Sequence, residues 1–92
     1  MIQSFRCAET QAVYEGKRSK KFAAMREAIE RKLQMLDSAT SVTDLRSPPG
    51  NRLEALDGDR KGQHSIRINE QFRACFIWTP AGPESVEVVD YH

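Results

Sequence analysis

The chain reads as an α+β domain, two helices near the start followed by an antiparallel sheet, and two patterns with a break between them predict this. Apolar residues recur at spacings of three and four from Phe22 to Leu36, the helical period, and at spacings of two from Ile66 onward, the strand period. Between the two regimes stands Ser47-Pro48-Pro49-Gly50-Asn51, which no regular element can continue because proline lacks the amide donor and fixes its backbone. Helices first and consecutive strands afterwards predict helices segregated on one face of a small, mainly antiparallel sheet of four to five strands, the other face left open.

Residues 2–6 read as a short opening strand, and residues 8–15 as a short helix closed by Gly16 in a left-handed cap. A longer helix follows after Ser19, with Phe22, Met25, Ile29, Leu33 and Leu36 as one apolar stripe and Arg26, Glu30 and Arg31 largely off it. Glu27 and Arg31 form an i,i+4 pair of favourable orientation. Residues 38–43 are small and polar, and 42–45 suffice for one helical turn. Residues 52–56 alternate, with Leu53 against Arg52 and Glu54, before Asp57-Gly58-Asp59 turns the chain. That triplet is no calcium loop, because the following residues read as a strand instead of supplying the later oxygen ligands. Residues 63–68 place Ile66 and Ile68 on one face and Ser65 and Arg67 on the other. After a turn at 69–71, the next strand puts Phe72, Ala74, Phe76 and Trp78 on one side and Arg73, Cys75 and Ile77 on the other. Residues 79–83 turn again, and the last strand is 85–91.

At 92 residues, 39% apolar and 29% charged, the chain is expected to form a single globular domain. No apolar run approaches the ~18 residues of a membrane span. The first residues lack the apolar core of a signal peptide, so the expected location is the cytoplasm and no membrane partner is expected. Cys7 and Cys75 are the only thiols, unpaired in spacing, and are expected to be free in a reducing compartment. His64 and His92 are far apart, and no cluster has metal-ligand spacing, so neither metal nor cofactor is expected. The net charge of +1 is unevenly spread: residues 1–50 hold nine Lys/Arg against six Asp/Glu, and residues 51–92 five against seven. The densest basic run, Lys17, Arg18, Lys20 and Lys21, reads either as a solvated helix start or as a patch that tracks phosphates.

Asp90-Tyr91-His92 puts three proton-binding side chains where a β-rich stretch runs out. Glu54, Arg67, Arg73 and this trio come from different strands, so folding can assemble them although no local motif joins them. Guanidinium groups, an imidazole, a phenol and carboxylates, without a nucleophilic Ser or Cys arrangement, suit RNA cleavage through the ribose 2′-hydroxyl, since the substrate brings its own nucleophile. A positioned acid or base in such chemistry contributes ~10²–10⁴ in rate, and the arginine fork fits phosphate oxygens. His92 is the acid candidate and Glu54 the matching base. Strict alternation sends Tyr91 to the face opposite Asp90 and His92, so a twisted or bulged terminus is required for all three to face one site.

Several segments together resemble HigB toxins of the RelE/ParE superfamily: Asn51-Arg52-Leu53-Glu54, Gly58-Asp59-Arg60, Gly62, Ser65-Ile66-Arg67, Phe72-Arg73 and Asp90-Tyr91-His92. Arg46-Ser47-Pro48-Pro49-Gly50-Asn51 and Gly62-Gln63-His64 add a likeness to the host-growth-inhibiting GraT subgroup. The resemblance implies a RelE-like fold and a type II toxin that cuts mRNA in the ribosomal A site. It further implies a HigA-like helix-turn-helix antitoxin as partner, the 70S ribosome and mRNA as target, and contact with DNA only through the antitoxin. It carries Arg73 over as phosphate or transition-state stabiliser, with Asp90, Tyr91 and His92 as catalytic residues. Arg67, Arg60, Lys61, His64, Lys17, Arg18, Lys20 and Lys21 are the expected RNA contacts. Better-known members place a histidine and a lysine where this chain has Glu54 and Asp57, so a base and a cation are replaced by two acids. The alternatives within the fold are a ParE-like inhibitor of DNA gyrase and a ribosome-binding translation inhibitor whose cleavage is weak.

Overall fold

The computed structural model describes residues 1–90; Tyr91 and His92 lie outside the described residues. Helix α1 spans Ala8–Tyr14, and Gly16 beyond it takes φ +79°, which suits the residue predicted to end the helix. Thr10 of α1 is fully buried, and its Oγ1 accepts the Val88 amide at 3.1 Å, which fastens α1 to the sheet. A short 3₁₀ turn, Ala23–Met25, leads into α2, Arg26–Ser38. The second helix starts later than the apolar stripe because Ser19 holds the preceding turn, accepting the Phe22 amide at 3.3 Å and donating to Glu9 at 2.9 Å.

Four strands form one antiparallel sheet in the order β1 (Glu54–Ala55), β2 (His64–Arg67), β3 (Phe72–Thr79), β4 (Gly82–Asp90). The opening strand expected at residues 2–6 is reduced to one parallel bridge, Phe5 to Val86. Edge strand β4 starts at Gly82, earlier than residue 85, and includes Pro83, whose missing amide is tolerated at a sheet edge. Between the pairs Cys75↔Glu87 and Ile77↔Glu84, β4 holds one residue more than β3, and Ser85 takes φ +53° there. The Ser85 amide donates to Ser4 Oγ at 2.9 Å, so the bulge is held from the N-terminal segment.

The core lies between the helices and one face of the sheet. Phe22, Ile29, Leu33 and Leu36, all from the predicted stripe, pack with Val13, Leu45, Ile66, Ala74, Phe76, Val86 and Val88. Phe72 meets Phe22 edge-on at 6.2 Å between ring centroids. At about 25 cal/mol for each Å² of apolar surface removed from water, this layer is the main source of stability.

The opposite face departs from expectation. Ser65, Arg73 and Cys75 point away from the helices, yet they are only 0%, 7% and 0% exposed. The strand predicted at 52–56 survives only as Glu54–Ala55, because Arg52 turns left-handed (φ +46°) and Gly58 does so again (φ +64°). The segment so released folds over the sheet: the Arg52 carbonyl accepts from Arg73, and Arg60 reaches Glu87. Both cysteines are free, and among the described residues no helix is long and apolar enough to cross a membrane.

Candidate functional site

Directly paired residues of antiparallel strands share a face, so the register itself assigns the site. Glu54 pairs with Ser65, Ser65 with Cys75, Arg67 with Arg73, and Arg73 with Val89. Glu54, Arg67 and Arg73 therefore stand on one face, as the sequence predicts. Asp90 pairs with Phe72 and falls on the helix-side face, where its carboxylate accepts from Gln71 at 3.0 Å. The register thus separates Asp90 from the face of Arg73, against the expected convergence, and the reason is the period of two. Tyr91 and His92 lie outside the described residues.

Arg73 is fixed before any ligand arrives. Its Nε donates to Ser65 Oγ at 2.8 Å, and its Nη2 donates to the Arg52 carbonyl at 2.5 Å and more weakly to the Ser65 carbonyl at 3.4 Å. Glu54 Oε1 lies 3.9 Å from the same Nη2. A nearly buried guanidinium with several acceptors aimed at it has lost most of its rotamer freedom, so it presents its charge in one orientation. Arg67 opposes it directly, its own Nε held by the Asn69 carbonyl at 3.1 Å. Two cations directly opposed across strands repel, which an anion between or above them would relieve.

These two arginines, Arg52, Asn69 and Glu70 line an open cleft of about 280 Å³. Asn69 shapes its rim: Oδ1 accepts the Gln71 and Phe72 amides, both at 2.8 Å, and closes the turn between β2 and β3. Arg52, Asn69 and Glu70 are absent from the sequence-derived set. Arg52 was hidden because its placement depends on a left-handed turn after a proline-rich loop, which alternation does not report. The signal available was its position directly after Pro-Pro-Gly-Asn.

The other predicted RNA contacts are dispersed. Arg60 is on the Arg73 face but engaged, Nη1 donating to Glu87 at 2.7 Å and to Gln63 at 3.1 Å. It sits over Cys75, whose thiol is pushed up by burial, with Glu87 adding to the shift and Arg60 and Arg73 opposing it. Lys61 is exposed beyond it. His64 is turned to the core side, stacked on Phe76 at 6.2 Å, with Nδ1 buried and lacking a hydrogen-bond partner among the described residues. The fold does not bring His64 to the cleft. Lys17, Arg18, Lys20 and Lys21 are exposed in the loop between the helices and are not a helix start. Lys17 pairs with Glu15 at 3.2 Å, and Lys21 lies 5.4 Å from the Phe22 ring centroid.

Fold and site together define a small α+β protein whose sheet carries an arginine-lined cleft. Over residues 3–92 the chain matches the HigB-like toxin family, described as RelE-like toxins of type II toxin-antitoxin systems, and it belongs to that family. It is 50% identical over 56 residues to Toxin HigB-1 of Vibrio cholerae serotype O1 (strain ATCC 39315 / El Tor Inaba N16961), covering 61% of this chain and 59% of that protein. An uncharacterized protein of Haemophilus influenzae (strain ATCC 51907 / DSM 11121 / KW20 / Rd) is 42% identical over 50 residues, 54% of this chain and 48% of its own length. The chain thus spans about half to three-fifths of the length of these relatives. Among solved structures, the YoeB-YefM complex from Staphylococcus aureus contains a chain that superposes with a TM-score of 0.62, at 17% identity over 100% of this chain and 98% of that one. At that identity the likeness concerns the fold alone.

Proposed function

We propose that this toxin is a ribosome-dependent endoribonuclease that cuts mRNA in the ribosomal A site. The observation that carries the reading is the cleft in which Arg52 and Arg67 flank the pre-oriented Arg73, with Glu54 3.9 Å from its guanidinium. In the reaction, the ribose 2′-hydroxyl attacks the adjacent phosphorus, a base takes its proton, and the bond to the departing 5′-oxygen breaks as an acid supplies a proton. The products are a 2′,3′-cyclic phosphate and a free 5′-hydroxyl. Arg73 meets the charge that accumulates on the non-bridging oxygens, and because it is held beforehand it needs no reorganisation during the step. Glu54 is the base candidate on this face and His92 the acid candidate; Asp90, Tyr91, Arg60, Lys61, Lys17, Arg18, Lys20 and Lys21 keep supporting roles in the proposal, and His64 does not.

The expected partners are a HigA-like helix-turn-helix antitoxin, the 70S ribosome with its mRNA, and DNA only through the antitoxin. The solved neighbour being a two-component complex supports a protein partner. The expected setting is the cytoplasm. One observation favours a weaker enzyme: Glu54 stands beside Arg73, where it competes with a phosphate for the same cation. Adding purified protein to a translation reaction and mapping mRNA 5′ ends tests the proposal. Cuts at positions occupying the A site are expected; stalled ribosomes on uncut message would leave a translation inhibitor, and gyrase-dependent DNA breakage with intact message would make it a gyrase poison.

A further inference from the structure

Arg52 is exposed and adopts φ +46°, ψ +57°, a left-handed conformation that glycine takes freely and that crowds any other side chain. Its backbone and side chain serve different neighbours. The carbonyl accepts from Arg73 Nη2, while the side chain lines the cleft and, among the described residues, has no hydrogen bond or ion pair of its own. The turn is held from beneath by Asn51, which is fully buried. Asn51 Nδ2 donates to the carbonyls of Leu45 (3.1 Å) and Ser47 (3.4 Å), and Oδ1 accepts from Lys32 of α2 at 2.5 Å. A buried carboxamide bonded at both ends ties helix α2 to the loop and leaves Arg52 little freedom.

We infer that Arg52 is a substrate-binding residue of the cleft: its guanidinium contacts an RNA phosphate while its carbonyl, set by the Asn51 anchor, orients Arg73. This rests on reading the cleft as a site for RNA. A glycine at this position would keep the turn and the carbonyl and relieve the crowding, so the retained arginine is explained by what its side chain meets. Asn51 acts through Arg52 and is a positioning residue.

The test uses a short RNA oligonucleotide carrying 2′-methoxy groups, which it binds without being cut, with affinity followed by calorimetry across a range of salt concentrations. Arg52→Gly is expected to weaken binding roughly tenfold and to flatten the salt dependence by about 0.7, the contribution of one phosphate contact on a single strand. In the same variant the melting temperature does not fall and the Arg73 Nε–H resonance stays in place, because the carbonyl remains. Asn51→Asp keeps an acceptor for Lys32 but turns an oxygen toward the Leu45 and Ser47 carbonyls, so the Arg73 resonance is expected to move as binding weakens. Should that variant not fold, Arg52→Gly alone decides. Wild-type affinity and salt slope in Arg52→Gly, or no binding by the wild-type protein, overturns the inference. Message left intact in the translation reaction while the oligonucleotide binding persists removes the endoribonuclease reading and leaves the Arg52 assignment standing.

Discussion

Arg73 and His64 show how two residues singled out on equal chemical grounds acquire opposite standing once neighbours are placed. Arg73 is almost completely buried, and Ser65 Oγ and the Arg52 carbonyl accept from it along two directions of its planar fork. Lysine has a point charge and no fork, so under the proposed endoribonuclease activity Arg73→Lys is expected to lower mRNA cleavage about a hundredfold or more, within the range typical of a lost transition-state donor. Initial rates of message cleavage check this, and an unchanged rate would place the phosphate elsewhere. His64, by contrast, holds against Phe76 a buried Nδ1 that has no hydrogen-bond partner among the described residues. Leaving such an atom unsatisfied costs about 1–3 kcal/mol, so His64→Phe is expected to unfold at equal or higher urea concentration and to cleave normally. Loss of cleavage at full stability would restore His64 to the RNA-binding set.

The elements differ in how far their sequence pattern governs them. The stripe of α2 and the alternation of β2 and β3 were legible because burial on one face imposes a period, and Ile29, Leu33, Ile66, Ala74 and Phe76 are all in the core. The 51–60 segment was not, since left-handed turns at Arg52 and Gly58 bend it over the sheet and convert a face expected to be open into one that buries Ser65, Arg73 and Cys75. This covering has a chemical consequence for the thiols. Burial raises Cys75, whereas at Cys7 burial is outweighed by hydrogen bonds from the Thr10 side chain and from the Thr10 and Glu9 backbone, with Lys21 assisting, so that its pKa falls below the ordinary value. A lowered thiol pKa means more thiolate at neutral pH. Alkylation followed by mass spectrometry is therefore expected to label Cys7 first, and equal labelling would mean the 51–60 cover opens readily. At the start of β4, Gly82 has φ +131°, and a Cβ there would run into the Met1 carbonyl. Gly82→Ala is expected to cost at least about 1–3 kcal/mol in strain, read as a lower urea midpoint; an unchanged midpoint would show that the N-terminal segment yields freely.

Across the whole molecule, the arrangement divides labour between two layers. The helices and one sheet face make the core, and the other face, under the irregular segment, holds the charged groups. The family and the class of fold were legible because short motifs and hydrophobic periods survive in one dimension. The face of Asp90 was less so: it depends on the pairing with Phe72, fixed only when β4 is laid against β3. Arg52 was least legible, because its place in the cleft arises from a loop whose conformation is set by Asn51 and Lys32, contacts between residues 19 positions apart.

The extra residue in β4 works as a parity bit for the strand. Glu84 and Glu87, three residues apart, would face opposite ways in a regular strand, and the single supernumerary residue absorbs the odd step so that both share the face of Cys75 and Ile77. Deleting Ser85 is expected to turn the bulge into regular pairing, with Val86 opposite Phe76 and Val86 and Val88 still toward the core, so that cooperative unfolding followed by circular dichroism is kept. A deletion variant that no longer melts cooperatively would mean that the bend at Ser85 is itself required for β4 to pair. One residue inserted between Val86 and Val89, where no bulge absorbs it, would by the same count rewrite which side chains face Arg73, without altering any residue of the cleft.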